Sequence, residues 1–185
     1  MNTVPAIDSY TISTSCELSQ SSEQMAKHSK VLKIAMPKST TAIMSQGLLY
    51  QKNEFIQNPY AYSRWSDSPN KMLTSLFLSC INKRAAFKSV LPSYSKGKAD
   101  YLLESTLLEF YHHINPDGSS EGRVRVSFYL IESQSGEVVA INEFFSSVEA
   151  ETLDAKGGVR ALNEASKRVA LNLSQWLSSL GAHLL

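Results

Sequence analysis

The chain is poor in the features that usually announce a chemistry. Its 185 residues include two cysteines, eight glycines, six prolines and four histidines. No run of about 18 apolar residues occurs, which leaves no helical membrane span. The first residues, Met1-Asn2-Thr3-Val4-Pro5, carry neither the basic nor the apolar region of a secretion signal. Two expectations fit: a cytoplasmic protein, or a mature exported domain whose leader is missing. Cys16 does not read as a lipobox cysteine, because Thr11 to Ser15 are polar apart from Ile12 and Asp8 interrupts any apolar run. Neither sign of charge dominates, with a net charge of +1 and 19% charged residues. A nucleic-acid or anionic-membrane partner therefore has no bulk electrostatic basis. The G-x-S-x-G, G-x-G-x-x-G and G-x-x-x-x-G-K-[ST] motifs are absent, as are internal repeats.

What is present is the composition of a globular domain, 43% hydrophobic. A chain of this length reads as one domain, with residues about 8–180 as the folded core and 1–7 as an N-terminal tether. It buries about 70% of its unfolded surface and so needs neither metal nor disulfide to hold a core. Cys80 reads as a buried free thiol, with a Cys16–Cys80 bridge as the alternative in an oxidising compartment.

The stretch Tyr60–Phe87 organises the chain. Tyr60, Tyr62 and Arg64 alternate with Ala61, Ser63 and Trp65, which predicts a half-buried strand with the two sets on opposite faces. Asp67 or Ser68 then caps a helix with Pro69 at its first position. Met72, Leu73, Leu76, Phe77, Cys80 and Arg84 fall on one side of that helix.

Upstream, Asp8–Thr14 reads as a short strand, 17–29 as a loop, and Val31–Met36 as a central strand stopped by Pro37. Thr40–Leu49 holds a helical turn. Leu48–Gln57 reads as two strand pieces around Lys52-Asn53-Glu54, broken by Asn58-Pro59. Downstream, Phe87–Leu91 reads as a strand ended by Pro92. A meander of three antiparallel strands follows, at Ala99–Ile114, Arg123–Glu132 and Val138–Val148, with Asn115-Pro116-Asp117-Gly118 as its first turn. In its middle strand Val124, Val126, Phe128 and Leu130 share one face. A long helix from about Leu153 to Leu180 closes the chain, with Val159, Leu162, Ser166, Val169, Ala170, Leu173, Trp176, Leu177 and Leu180 as its apolar stripe and Leu171 outside it. The expected fold is α+β: a single, mainly antiparallel sheet with a strand meander, packed by two amphipathic helices.

Candidate chemistry is thin. His112 and His113 are neighbours, so on a strand they face opposite sides and do not share a metal; beside a turn they read as solvated. His28 and His183 lie in polar or terminal segments. Glu104 and Glu109 fall on opposite faces of a regular strand. Arg123 and Arg125 read as the solvated face of theirs. Gly157-Gly158 reads as flexibility where the last helix begins, with an anion site as the alternative. His113 is the best candidate for an enzymatic base, and it has no visible partner, so the expectation is no enzyme, no cofactor and no metal. Tyr60, Tyr62 and Trp65, with Phe144 and Phe145, form an aromatic group that suits a contact surface or plain core packing.

The order of motifs carries a resemblance. Tyr10-Thr11-Ile12, Tyr62-x-Arg64-Trp65 before a proline-started helix, Ala99-Asp100-Tyr101-x-Leu103, Ser133–Val139, and a closing helix with Ala161, Asn163, Ala165 and Trp176-Leu177 together resemble the ABC-type transport auxiliary lipoprotein family, of the paraquat-inducible protein C type. The resemblance spans roughly residues 10–180. It implies a non-enzymatic periplasmic component of an ABC or MCE-type lipid transport system, held to the outer membrane by an N-terminal lipid. The leader and anchor cysteine of that family are missing from this chain. Expected partners are MCE-type or other ABC transport subunits, with a homo-oligomer open and no nucleic acid. Tyr60, Tyr62, Arg64, Trp65 and Asp100 are the candidate signature or interaction positions. The alternative is a small lipid carrier with an apolar pocket between helix and sheet.

Overall fold

A computed structural model describes residues 5–17 and 29–180. The expected loop over 18–28, His28, His183 and the first four residues of the tether lie outside them. Eight strands and three helices follow one another: β1 Asp8–Tyr10, β2 Val31–Ile34, α1 Thr41–Met44, β3 Gly47–Lys52, β4 Ile56–Trp65, α2 Pro69–Arg84, β5 Ser89–Pro92, β6 Tyr101–Ile114, β7 Ser120–Glu132, β8 Val138–Glu149 and α3 Ala155–Ser179.

The sheet is mixed: its longest ladders are antiparallel, as expected, but four of its strand pairs are parallel. The meander β6–β7–β8 is antiparallel, as is the β3–β4 hairpin. The pairs β1–β4, β2–β5, β2–β6 and β3–β6 are parallel. The long strand β6 is the hub. One of its edges takes β7 along its whole length. Its other edge is shared by β2, opposite Tyr101–Leu103, and β3, opposite His112–Ile114. The sheet therefore forks into a β2–β5 branch and a β3–β4–β1 branch. Parallel neighbours need long crossovers, and α2 with its flanks supplies one between β2 and β5.

Both longer helices lie on the same face of the sheet. The β7 residues Val124, Val126, Phe128 and Leu130 are fully buried there, as their alternation predicts. Phe77 of α2 meets Phe128 edge-on at 5.5 Å between ring centroids. Met72, Leu73, Leu76, Phe77 and Cys80 of α2 are buried, with Ser68 at the N-cap and Pro69 in the first turn. In α3 the stripe from Val159 to Leu177 is buried except for Trp176, which is half-buried and meets Phe144 at 6.2 Å. Leu171 is half-buried against the core rather than exposed.

Alpha3 presses unusually close at its N-terminal end. A Cβ added to Gly122 of β7 would lie 2.6 Å from the backbone of Ala161 and Leu162. One added to Gly158 would lie 2.6 Å from Nδ1 and 2.7 Å from Cγ of His112. Gly157 and Gly158 are thus contact glycines inside α3 rather than a flexible lead-in, which corrects the sequence reading. Asp154 caps the helix, accepting the Gly157 N–H at 2.8 Å.

Three further expectations change. Cys16 and Cys80 are bridged, with Cα atoms 5.3 Å apart, so the segment after β1 is tied to α2. Asn163 of α3 fixes the same segment from the other side, accepting the Ser13 N–H at 2.8 Å and donating to the Thr11 carbonyl at 3.2 Å. Pro59 does not break the hairpin strand; it lies within β4, paired with Leu49. Among the described residues the outer edge of β4 beyond 63–65 has no neighbour, so a missing N–H on that side interrupts no ladder. Glu104 and Glu109 share a face, because a bulge after Leu107 inserts Leu108.

Candidate functional site

A second irregularity shapes a groove to which three tyrosines contribute. Between the pairs Leu49–Pro59 and Gly47–Arg64, β4 advances five residues while β3 advances two. The extra residues flip the alternation. Tyr60 contacts His112, and Trp65 contacts Phe110 at 5.5 Å. His112 and Phe110 are two apart on β6 and share a face. Tyr60 and Trp65 therefore lie on the same side of the sheet, not on opposite sides as a regular strand predicts.

Beside this bulge is an open groove of about 610 Å³, lined by Tyr50, Lys52, Tyr60, Ala61, Tyr62, Ser63, Ile114, Leu153, Asp154 and Ala155. Its walls come from β3, β4, the end of β6 and the turn before α3. Tyr50 and Tyr60 pack with ring centroids 4.9 Å apart. The Lys52 ammonium sits 5.7 Å from the Tyr50 ring centroid. Tyr62 is 57% exposed and Leu153 53% exposed, so the wall that meets solvent is largely apolar.

From the groove a half-buried tyrosine reaches a buried histidine. The Tyr60 hydroxyl and His112 Nδ1 are 2.8 Å apart, and His112 is fully buried. This corrects the reading of His112 as solvated. Burial lowers the His112 pKa, opposed by the Asp154 carboxylate and assisted by His113. His112 is held neutral, and its Nε2 has no hydrogen-bond partner among the described residues. Burial pushes the Tyr60 hydroxyl up to about 12, with the Asp154 carboxylate and Tyr50 acting in the same direction. Asp154 stays below the usual carboxylate range, through the Thr152 hydroxyl and the Gly157 N–H. A nucleophile–base couple also needs a third group to orient the base, and among the described residues none bonds His112 Nε2. The geometry suits recognition of an apolar or aromatic surface instead.

Of the five positions singled out in the sequence, Tyr60 and Tyr62 line the groove. Arg64 is exposed on the adjoining step between β1 and β3. Trp65 is fully buried core. Asp100 lies at the opposite end of β6, where it accepts the Val31 N–H at 2.7 Å and its own N–H donates to the Val31 carbonyl at 2.9 Å. It fixes the start of β2 against β6, a structural duty. Sequence reasoning missed Tyr50, Lys52, Ile114 and the Leu153–Ala155 turn. The hairpin signal at Asn53 could have brought Tyr50 beside β4; the α3 contribution has no local signal. Arg123 and Arg125 form no basic patch: Arg123 pairs with Glu121, and Arg125 with Glu109 at 2.6 Å and Glu143 at 3.0 Å. Among the described residues no group of three histidine, cysteine or acidic side chains is placed to hold a metal ion.

Comparison with known proteins bears on this arrangement. The crystal structure of protein XCC0632 from Xanthomonas campestris superposes with a TM-score of 0.85 at 17% identity, covering 94% of this chain and 96% of that one. A second crystal structure, of an uncharacterized protein, gives a TM-score of 0.69 at 11% identity over 93% of this chain and 99% of that one. At such identities the likeness is one of fold. No curated protein matches the sequence. The profile of the ABC-type transport auxiliary lipoprotein component matches residues 10–174, nearly the whole chain, and the protein belongs to that family.

Proposed function

We propose that this chain is a non-enzymatic, periplasmic auxiliary component of an ABC/MCE-type lipid transport system, anchored to the outer membrane through an N-terminal lipid, and that it meets a transport subunit at the Tyr50–Tyr60–Tyr62 groove. Family membership supports the transport and lipoprotein parts of the reading. The observation that carries the contact surface is a row of tyrosines beside the part of the β4 edge that has no neighbour among the described residues, held in place by the bond from Tyr60 to the buried His112. Tyrosine walls are enriched at protein interfaces because one end is apolar and the other wet.

The test is a photo-crosslinking residue at Tyr62 in cells, with the adduct identified by mass spectrometry. The expected adduct is an ABC or MCE-type subunit. Crosslinks only to unrelated envelope proteins would remove the reading. A ladder of self-adducts would instead make the groove an interface of a homo-oligomer.

A lipid-carrier reading has one observation in its favour, since a groove of about 610 Å³ lies within the roughly 300–1,000 Å³ of small-molecule sites. It lies beside the N-terminal end of α3 rather than under the helix, where Gly122 and Gly158 leave no room for a ligand. Native mass spectrometry of freshly purified protein tests it: a retained lipid lost in Tyr60→Ala supports the carrier, and lipid-free protein counts against it.

A further inference from the structure

The β3–β4 hairpin ends in an apolar tip that the groove does not explain. Phe55 is 90% exposed, the most exposed large hydrophobic residue described, and its neighbour Ile56 is 48% exposed. The tip is a built turn: Asn53 adopts a left-handed conformation with φ of 53°, and its Oδ1 accepts the Phe55 N–H at 3.0 Å. The geometry therefore holds Phe55 outward. Leu153, which lines the groove with Lys52, adds an exposed apolar side chain near the same end of the sheet.

The direction of β1 indicates what covers this tip. Strand β1 runs parallel to β4, with Asp8 opposite Ser63 and Tyr10 opposite Trp65. Its N-terminal end consequently points back along β4 toward Ile56. Measured along β3, from Gly47 opposite Arg64 to Lys52 opposite Ile56, the distance is about 17 Å at roughly 3.3 Å per residue. A lipid attached upstream of β1 would leave the domain on the side where Phe55 projects. Charge says what kind of surface is met. Lys52 and Glu54 flank the turn and cancel, and Asp117 stands in the β6–β7 turn at that end of the sheet. There is no positive excess to seek anionic headgroups, so apolar area drives the contact.

We propose that the β3–β4 hairpin tip, Phe55 with Ile56, dips into the interfacial region of a phospholipid bilayer and gives the lipid-tethered domain a second membrane contact that fixes its orientation. The inference rests on the lipoprotein reading for the position of the bilayer. An aromatic ring and a β-branched side chain on a rigid turn suit the boundary between headgroups and acyl chains. With the tip down, the β6–β7 turn lies close to the membrane and the β2–β5 branch stands away from it.

The test couples a lipid to the N-terminus of the full chain and holds it on phosphatidylcholine vesicles containing brominated lipid. Two reporters are compared, Phe55→Trp and Tyr94→Trp. Tyr94 is 87% exposed but lies beyond β5, on the other branch of the sheet. The expected result is a blue-shifted Phe55→Trp emission quenched by about half or more, as for a ring buried some 5–10 Å into the interface, with Tyr94→Trp emission unchanged. Adding phosphatidylglycerol should leave the quenching as it is. Phe55→Trp emission identical on vesicles and in solution would overturn the proposal, as would equal quenching of both reporters, which means a domain with no fixed orientation. Because the readout needs only vesicles, its failure is separable from a failure of the crosslinking test for a transport subunit.

Discussion

Gly158→Ala probes the closest contact in the structure. In an isolated helix the change is favourable by about 1 kcal/mol, since glycine is the poorer helix former. Here the new methyl would lie 2.6 Å from Nδ1, 2.7 Å from Cγ and 3.0 Å from Cβ of His112. His112 is fully buried and tied to Tyr60, so it is not a flexible end that swings aside. The helix α3 is pushed off the sheet, an overpacking cost of about 1–3 kcal/mol, and the displaced imidazole leaves buried groups unpaired, a further cost of about 1–3 kcal/mol. Set against the propensity gain, the net loss is about 1–5 kcal/mol, or roughly 2–4 °C in Tm per kcal/mol for a chain of this size. Urea denaturation followed by circular dichroism measures it. The double variant Gly158→Ala with His112→Ala assigns the cause. If the clash is with the imidazole, the second substitution costs less in the Gly158→Ala background than alone. A Gly158→Ala protein as stable as the parent, or additive behaviour in the cycle, would refute the close approach.

Replacing both cysteines by serine removes a bridge across a separation of 64 residues and should cost about 4 kcal/mol; thiol titration of the unfolded, unreduced parent should find no free thiol, and two reactive thiols would contradict the bridge. His112 makes stability depend on pH. Its folded pKa lies below the ordinary 6.5, so the unfolded chain takes up the proton first and stability declines as pH falls below about 6.5, levelling once the folded pKa is passed. The urea midpoint should drop between pH 7.5 and 5.5 in the parent and less in His112→Asn; equal slopes would contradict the assignment. Trp176→Ala should cost about 1–3 kcal/mol by thermal melt, less than the roughly 3–5 of a fully buried tryptophan, because the ring is half-buried against Phe144; a shift at the buried value would mean that α3 seats deeper than described.

What the sequence made legible was local. The alternation through Val124–Leu130, the turn at Asn115–Gly118 and the proline-started helix at Pro69 are each written in neighbouring residues, and each is found. What it hid was set by partners far along the chain. Pro59 reads as a break unless the outer edge of β4 is known to have no neighbour there among the described residues. The faces of Tyr60 and Trp65 depend on a bulge against β3, and those of Glu104 and Glu109 on a bulge in β6. His112 looks solvated beside its turn until Gly158 and Tyr60 are brought onto it. Half the candidate groove was legible for the same reason: Tyr60 and Tyr62 are a strand signal, whereas Leu153–Ala155 arrive through the packing of α3.

The fork at β6 also governs the order in which the protein can fold. A chain made N-terminus first can close the β3–β4 hairpin early, but β2 and β3 cannot complete their pairing until residues 101–114 have emerged. Both halves of the sheet wait for one strand, and contacts of such long sequence separation are slow to form. Cys16 and Cys80 both precede that strand. In an oxidising compartment the bridge can therefore close first and keep the early segments within reach of one another, shortening the search that β6 ends.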